Sequence, residues 1–188
     1  MNKQNSISYL VKVFFIFALL CANYVNAQQD TIYWNKERPL AWEDFKGVPE
    51  SNAIESAQAS SGVALKFQYR KDVINDAWDY RYEVYSYFLP ELSWYKPNEI
   101  NYYLLEHEQN HFHISEFFAR KLKKELSELI ASESVGNEAE RVYNKIQKEH
   151  AAFQNKYDRE SKHSLNVDKE LEWQERVLDS LNKYNDWK

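Results

Sequence analysis

Beyond residue 27 the chain has no cysteine, because its single one is Cys21. Disulfides are therefore excluded as staples, and stability must come from a hydrophobic core or a metal. The sequence also lacks an apolar run long enough to span a bilayer as a mature helix: the run from Val13 to Ala22 falls short of the roughly 20 residues required. An excess of positive charge is missing too. The 24 Lys and Arg stand against 29 Asp and Glu, and since residues 1–27 hold Lys3 and Lys12 but no acid, the remainder has 22 against 29. Without clustered cations, nucleic acid and anionic membrane surfaces are not expected partners. No repeat, low-complexity tract or linker interrupts the chain, so residues 28–188 read as one domain.

The N-terminus carries the marks of a leader. Lys3 and Lys12 precede the apolar run, and Val25-Asn26-Ala27 forms a small-x-Ala cleavage signal, so residues 1–27 are expected to be a signal peptide. Cleavage after Ala27 would leave 161 of the 188 residues as a secreted or periplasmic protein without a transmembrane segment. Lipid anchoring through Cys21 is disfavoured by Leu20, which stands where a lipobox wants a small residue. The 14 Tyr, 10 Phe and 6 Trp are expected mostly in the core, a minority lining a cleft for peptide or glycan.

Residues 107–111 read His-Glu-Gln-Asn-His. Four residues of helix rise roughly 6 Å and little more than one turn, so His107 and His111 leave the same face and can share a tetrahedral Zn2+. Glu108, about 100° round the helix, stands where such motifs place the carboxylate that takes a proton from zinc-bound water. Asn98 is the expected N-cap, and Ile100, Leu104, His107, His111, Ile114, Phe118 and Leu122 form the inward stripe. His113 is expected on the opposite, solvated face, and Arg120-Lys121-Leu122-Lys123-Lys124 as the solvated last turns.

Strands precede helices. Thr31–Leu40 reads as a strand, Val63, Leu65, Phe67 and Tyr69 alternate with polar residues, and Trp78, Tyr80, Tyr82 and Val84 repeat the pattern. Leu92–Tyr95, between Pro90 and Pro97, suits a short edge strand that could hold an extended peptide. A second helix is expected over 137–157, with Ala139, Val142, Ile146, His150, Phe153 and Tyr157 inward, then a loop over 158–166 and a third helix carrying Leu171, Leu178 and Leu181. The fold class is α+β, with an antiparallel or mixed sheet packed on helices.

Four segments together, Trp42-x-Asp44-Phe45-x-Gly47-x-Pro49, Ser93-Trp94, Leu104-Leu105-x-His107-Glu108-Gln109-x-His111-Phe112 and Tyr157-Asp158-x-x-Ser161-x-His163, resemble a family of secreted bacterial proteins. That family, first catalogued as a domain of unknown function, is regarded as zincin-like zinc-dependent proteases. The resemblance spans nearly all of residues 28–188 and implies a zincin-like metallopeptidase acting on a peptide or protein. The family's late motif is Tyr-Asp-x-x-Thr-x-His-Gly, so Ser161 and Ser164 depart from it; a Ser in place of Gly disfavours a loop that needs positive φ.

A catalytic zinc wants three protein ligands and an open position. His163 is the preferred third ligand, as a loop residue that also matches the late motif; Glu133, Glu138, Asp158 and His150 are the alternatives. Ile114 and Phe117 occupy the places of the Gly and His of an extended metzincin motif, which excludes that subclass. Asp158 could otherwise fix a ligand's tautomer, and Tyr157 could donate to an oxyanion. The competing class is a non-catalytic exported module, zinc-stabilised, that binds cell-wall glycan or protein.

Overall fold

Alternating apolar and polar residues build a long hairpin, β4 (Ser61–Asp72) and β5 (Ala77–Phe88), whose register pairs Leu65 with Val84 and Phe67 with Tyr82. At its tip Asp72 Oδ1 accepts from the backbone N–H groups of Ile74 and Asn75 at 2.9 and 3.2 Å, an Asx turn. This computed structural model describes residues 12–15, 30–49 and 51–188. The strands β1 (Lys12–Phe15) and β2 (Ile32–Tyr33) flank the hairpin in the antiparallel order β1-β4-β5-β2, and β3 (Ala57–Gln58) pairs with β6 (Trp94–Tyr95) in a second sheet. Apart from Lys12–Phe15, the expected leader lies outside the described residues.

Three helices follow: α1 (Tyr102–Ser127), α2 (Val135–Ser161) and α3 (Val167–Lys183). Val63, Leu65, Phe67 and Val84 meet Ile114, Phe118 and Leu122 of α1, Ile146 of α2, and Trp173 and Val177 of α3 in one buried cluster. A smaller cluster of Leu40, Phe45, Phe88 and Phe112 ties the N-terminal segment to the same helix. The architecture is α+β, strands first and helices after, as the patterning predicts. Among the described residues no helix is long and apolar enough to cross a membrane.

Several local expectations fail for physical reasons. The strand expected over 31–40 stops at Tyr33, because the Asn35 side chain accepts from Glu37 N–H at 2.9 Å and turns the chain. Pro90–Leu92 is a 3-10 turn, so only Trp94–Tyr95 remains extended, already paired with β3. The cap of α1 is Asn101, whose side chain accepts from Leu104 N–H at 2.9 Å; Ile100 therefore precedes the helix and is exposed. Arg120 is buried instead of solvated, donating to Glu116 at 2.8 Å and to the Leu181 carbonyl at 2.9 Å. His113 does leave the face opposite the His pair, but it is half-buried against Trp34 instead of exposed. Leu171 and Leu178 face solvent, while Glu170, Trp173, Val177 and Leu181 form the buried stripe of α3.

Candidate metal centre

One helical turn brings the two imidazoles of α1 together as their spacing requires. Nε2 of His107 lies 3.1 Å from Nε2 of His111, with His107 buried and His111 nearly so. Helix α2 supplies the third group. Asp158 Oδ1 is 2.8 Å from His111 Nε2 and 3.2 Å from His107 Nε2. The helix continues to Ser161, so Asp158 sits on it, fixed toward the pair, instead of opening the expected loop.

The far side of each ring determines its proton. His107 Nδ1 meets the Glu170 carboxylate at 3.0 Å, and a carboxylate only accepts, so Nδ1 carries the hydrogen. His111 Nδ1 meets Gln154 Oε1 at 2.6 Å; the orientation of that amide is set by its Nε2, which donates to the His111 carbonyl at 3.1 Å. Both Nε2 lone pairs therefore face each other and Asp158 Oδ1, a buried oxygen with no hydrogen-bond donor. Three acceptors at 2.8–3.2 Å repel one another unless a cation stands between them. Tetrahedral zinc with ligand bonds of about 2.0–2.1 Å would set its ligand atoms about 3.3 Å apart. The donor set fits zinc in chemistry and spacing. Without metal, a proton must serve: burial pushes His107 down, but Asp158 and Glu170 outweigh it and lift the ring to about 9, while burial of Asp158 is outweighed by both rings, which hold it well below its ordinary value.

Glu108 is buried beside the pair, its Oε2 accepting from the Ala59 backbone N–H at 2.6 Å. Burial raises its pKa, opposed by the two imidazoles, which suits a group that must take up a proton. A cavity of about 380 Å³ opens above His107, Glu108 and His111, walled by Ala57, Ala59, Ala151, Gln154 and Asn155. Among the described residues no Phe, Tyr or Trp lines it.

The remaining candidates separate cleanly. His163 lines the cavity, half exposed, with Nδ1 3.8 Å from Asp158 Oδ1; one donor atom from each of His107, Asp158 and His163 lies within 4.8 Å of the others. It rides a left-handed turn in which Lys162, His163 and Ser164 have φ of 53°, 51° and 70°, so Ser164 takes the positive φ despite its side chain. Tyr157 stands behind the ligands: its ring stacks on His107 at 4.5 Å, its hydroxyl donates to Glu170, and it is fully buried, turned from any oxyanion over the cavity. Burial, then Glu170, pushes that hydroxyl far up. His150 is hydrogen-bonded to Ser115 and Gln154, each at 3.1 Å. Glu138 accepts from Ser134 at 2.5 Å and lies about 30 Å along α2 from Asp158, and Glu133 is exposed at that same far end. Glu170 and Gln154 escape sequence reasoning. A signal for Glu170 exists, since it falls in step with Trp173, Val177 and Leu181, a charge on an apolar stripe.

A family model described as "Bacterial protein of unknown function (DUF922)" matches residues 92–164, the stretch holding His107, His111, Asp158 and His163. Neither a curated protein nor a solved structure matches the chain.

Proposed function

We propose that the chain is an exported zinc-dependent hydrolase, a zincin-like peptidase in which His107, His111 and Asp158 hold the metal and Glu108 is the general base. The observation that carries this reading is the convergence of two imidazole Nε2 atoms and one carboxylate oxygen within 3.2 Å of one another, beside a buried carboxylate. When bound, zinc would acidify a water toward a pKa of about 7. Glu108 would accept a proton at one carboxylate oxygen, while Ala59 N–H keeps the other in place. Gln154 and Glu170 hold the two rings with Nε2 toward the metal.

A peptide is the favoured substrate because the strand beside Glu108 offers backbone groups. Lys96 N–H donates to the Ser56 carbonyl at 2.8 Å, so by antiparallel alternation the Ala57 peptide groups point away from β6, the same side on which Ala59 N–H meets Glu108. Strand β3, in place of the expected Leu92–Tyr95, is thus the edge on which an extended chain could pair.

One observation favours a second reading. If His163 swings inward as a fourth ligand, the site closes, as in structural zinc centres, and the chain is a zinc-stabilised binding module for cell-wall glycan or protein. Cleavage of a mixed peptide library, read by mass spectrometry, separates the two. A peptidase should lose about 10²–10⁴-fold of its rate in Glu108→Gln with zinc retained. Equal cleavage by both proteins would remove Glu108 from the chemistry, and zinc-loaded protein that cleaves nothing and loses its metal in His163→Ala would favour the module.

A further inference from the structure

We propose that Glu170 is a positioning residue for the metal centre, the group through which α3 fixes the tautomer of His107 and strengthens its Nε2 as a donor. The inference rests on the zinc reading above and deepens it.

Glu170 is completely buried and pairs with no Lys or Arg among the described residues; its carboxylate accepts from His107 Nδ1 at 3.0 Å, from the Tyr157 hydroxyl, and from Gln174 Nε2 at 3.3 Å. A carboxylate so deeply buried is costly even beside the His107 ring, and a Leu at this position would suit the stripe of Trp173, Val177 and Leu181 better. Docking of α3 does not explain the charge. That helix is already held by its apolar stripe and by Trp173 Nε1, which donates to Glu160 of α2 at 3.0 Å. What the charge does explain is His107. Its ring is held on one edge by Glu170 and on one face by Tyr157, and Tyr157 is itself anchored by the same carboxylate. A metal at Nε2 would draw electron density through the imidazole, and the carboxylate at Nδ1 returns it. Glu170 lies outside residues 92–164, so this brace comes from a helix that the family match does not reach.

The test measures Zn2+ affinity by competition with a chromophoric chelator, using the folded chain and the variants Glu170→Gln, Glu170→Ala and Glu160→Gln. Glu170→Gln keeps the size and an acceptor for His107 but loses the charge, and is expected to bind zinc about 10-fold more weakly, with Glu170→Ala approaching 100-fold. The metal-free Glu170→Gln chain should remain folded, with the far-UV circular dichroism of the parent. Glu160→Gln, which removes a charge at another α2–α3 contact while keeping an acceptor for Trp173 Nε1, is the control and should leave zinc affinity unchanged. With Co2+ in place of zinc, the visible absorption band should shift in both Glu170 variants and not in Glu160→Gln. Zinc affinity of Glu170→Gln within twofold of the parent would overturn the proposal while leaving the zinc reading intact, and should Glu170→Ala fail to fold, Glu170→Gln decides. A parent chain that takes up no zinc would overturn both.

Discussion

The indole N–H of Trp34 donates to Nδ1 of His113 at 2.9 Å, joining residues 79 positions apart and closing the N-terminal segment onto α1. Arg120 lies over the same indole, 5.2 Å from its centroid. Trp34→Phe leaves His113 without its donor and weakens the cation–π contact, and should cost about 1–3 kcal/mol of stability, measured by urea denaturation.

The same contact has a pH signature. Burial, then Arg120, lowers His113 to about 4, and burial, then His111, lowers His150 to about 4. Both rings are neutral in folded and unfolded chains above pH 6.5; below it only the unfolded chain takes up protons. Stability should therefore fall as pH drops from about 6.5 to about 4, with about two protons bound per molecule unfolded. Urea midpoints across that window check it, and a flat profile would contradict the buried placement.

On the alkaline side the sign reverses for the metal-free chain. His107, raised to about 9, contributes stability that is fully present below pH 6.5 and is lost as pH rises through about 9. Because zinc and that proton compete for Nε2, zinc uptake at pH 7.5 should release about one proton. Calorimetry in buffers of different ionisation enthalpy measures it.

Asp158 and His163 should separate in a metal assay. Asp158→Ala removes an oxygen at 2.8 Å from one ligand nitrogen and 3.2 Å from the other, and is expected to lose zinc during dialysis. His163→Ala removes a ring whose nearest nitrogen is 3.8 Å from Asp158 Oδ1, and should keep it. Elemental analysis of both proteins checks the pair.

Lys162 ends α2 in the left-handed region, at φ 53° and ψ 46°, with its side chain exposed. A left-handed L-residue costs about 1–2 kcal/mol, and glycine returns roughly half of that through its extra unfolded freedom. Lys162→Gly should stabilise by about 0.5–1 kcal/mol, seen as a melting temperature higher by roughly 1–4 °C.

Gly47 has the opposite character. A Cβ there would lie 2.9 Å from the carbonyl oxygens of both Glu91 and Ser93, which are backbone and cannot step aside. The residue also donates its N–H to Ser93 at 2.8 Å. Gly47→Ala should destabilise by about 1–3 kcal/mol in thermal unfolding.

The sequence disclosed what periodicity controls. His107, Glu108 and His111 were readable because four residues make one helical turn, and β4 and β5 because inward and outward residues alternate over twelve positions. Asp158 was underrated because no proline or glycine marks the end of α2, so the helix could be drawn too short; it stops in a left-handed turn made by Lys162, His163 and Ser164. The phase of α3 was hidden because Leu171 and Leu178 are apolar yet exposed, while the polar Glu170 is buried. His113 and Arg120 looked solvated by residue type alone; the cross-chain partners that bury them, Trp34 and Leu181, are invisible to local pattern.

Ribosomal order is also the order in which this site's parts arrive: both imidazoles first, the α2 oxygen some fifty residues later, and the α3 carboxylate after that. A nascent or truncated chain ending before Glu170 has every atom of the acceptor triangle but lacks the carboxylate that holds His107 Nδ1 and anchors Tyr157 behind it. Firm metal capture would then wait until the last helix docks, so a chain truncated before Glu170 should hold zinc more weakly than the whole.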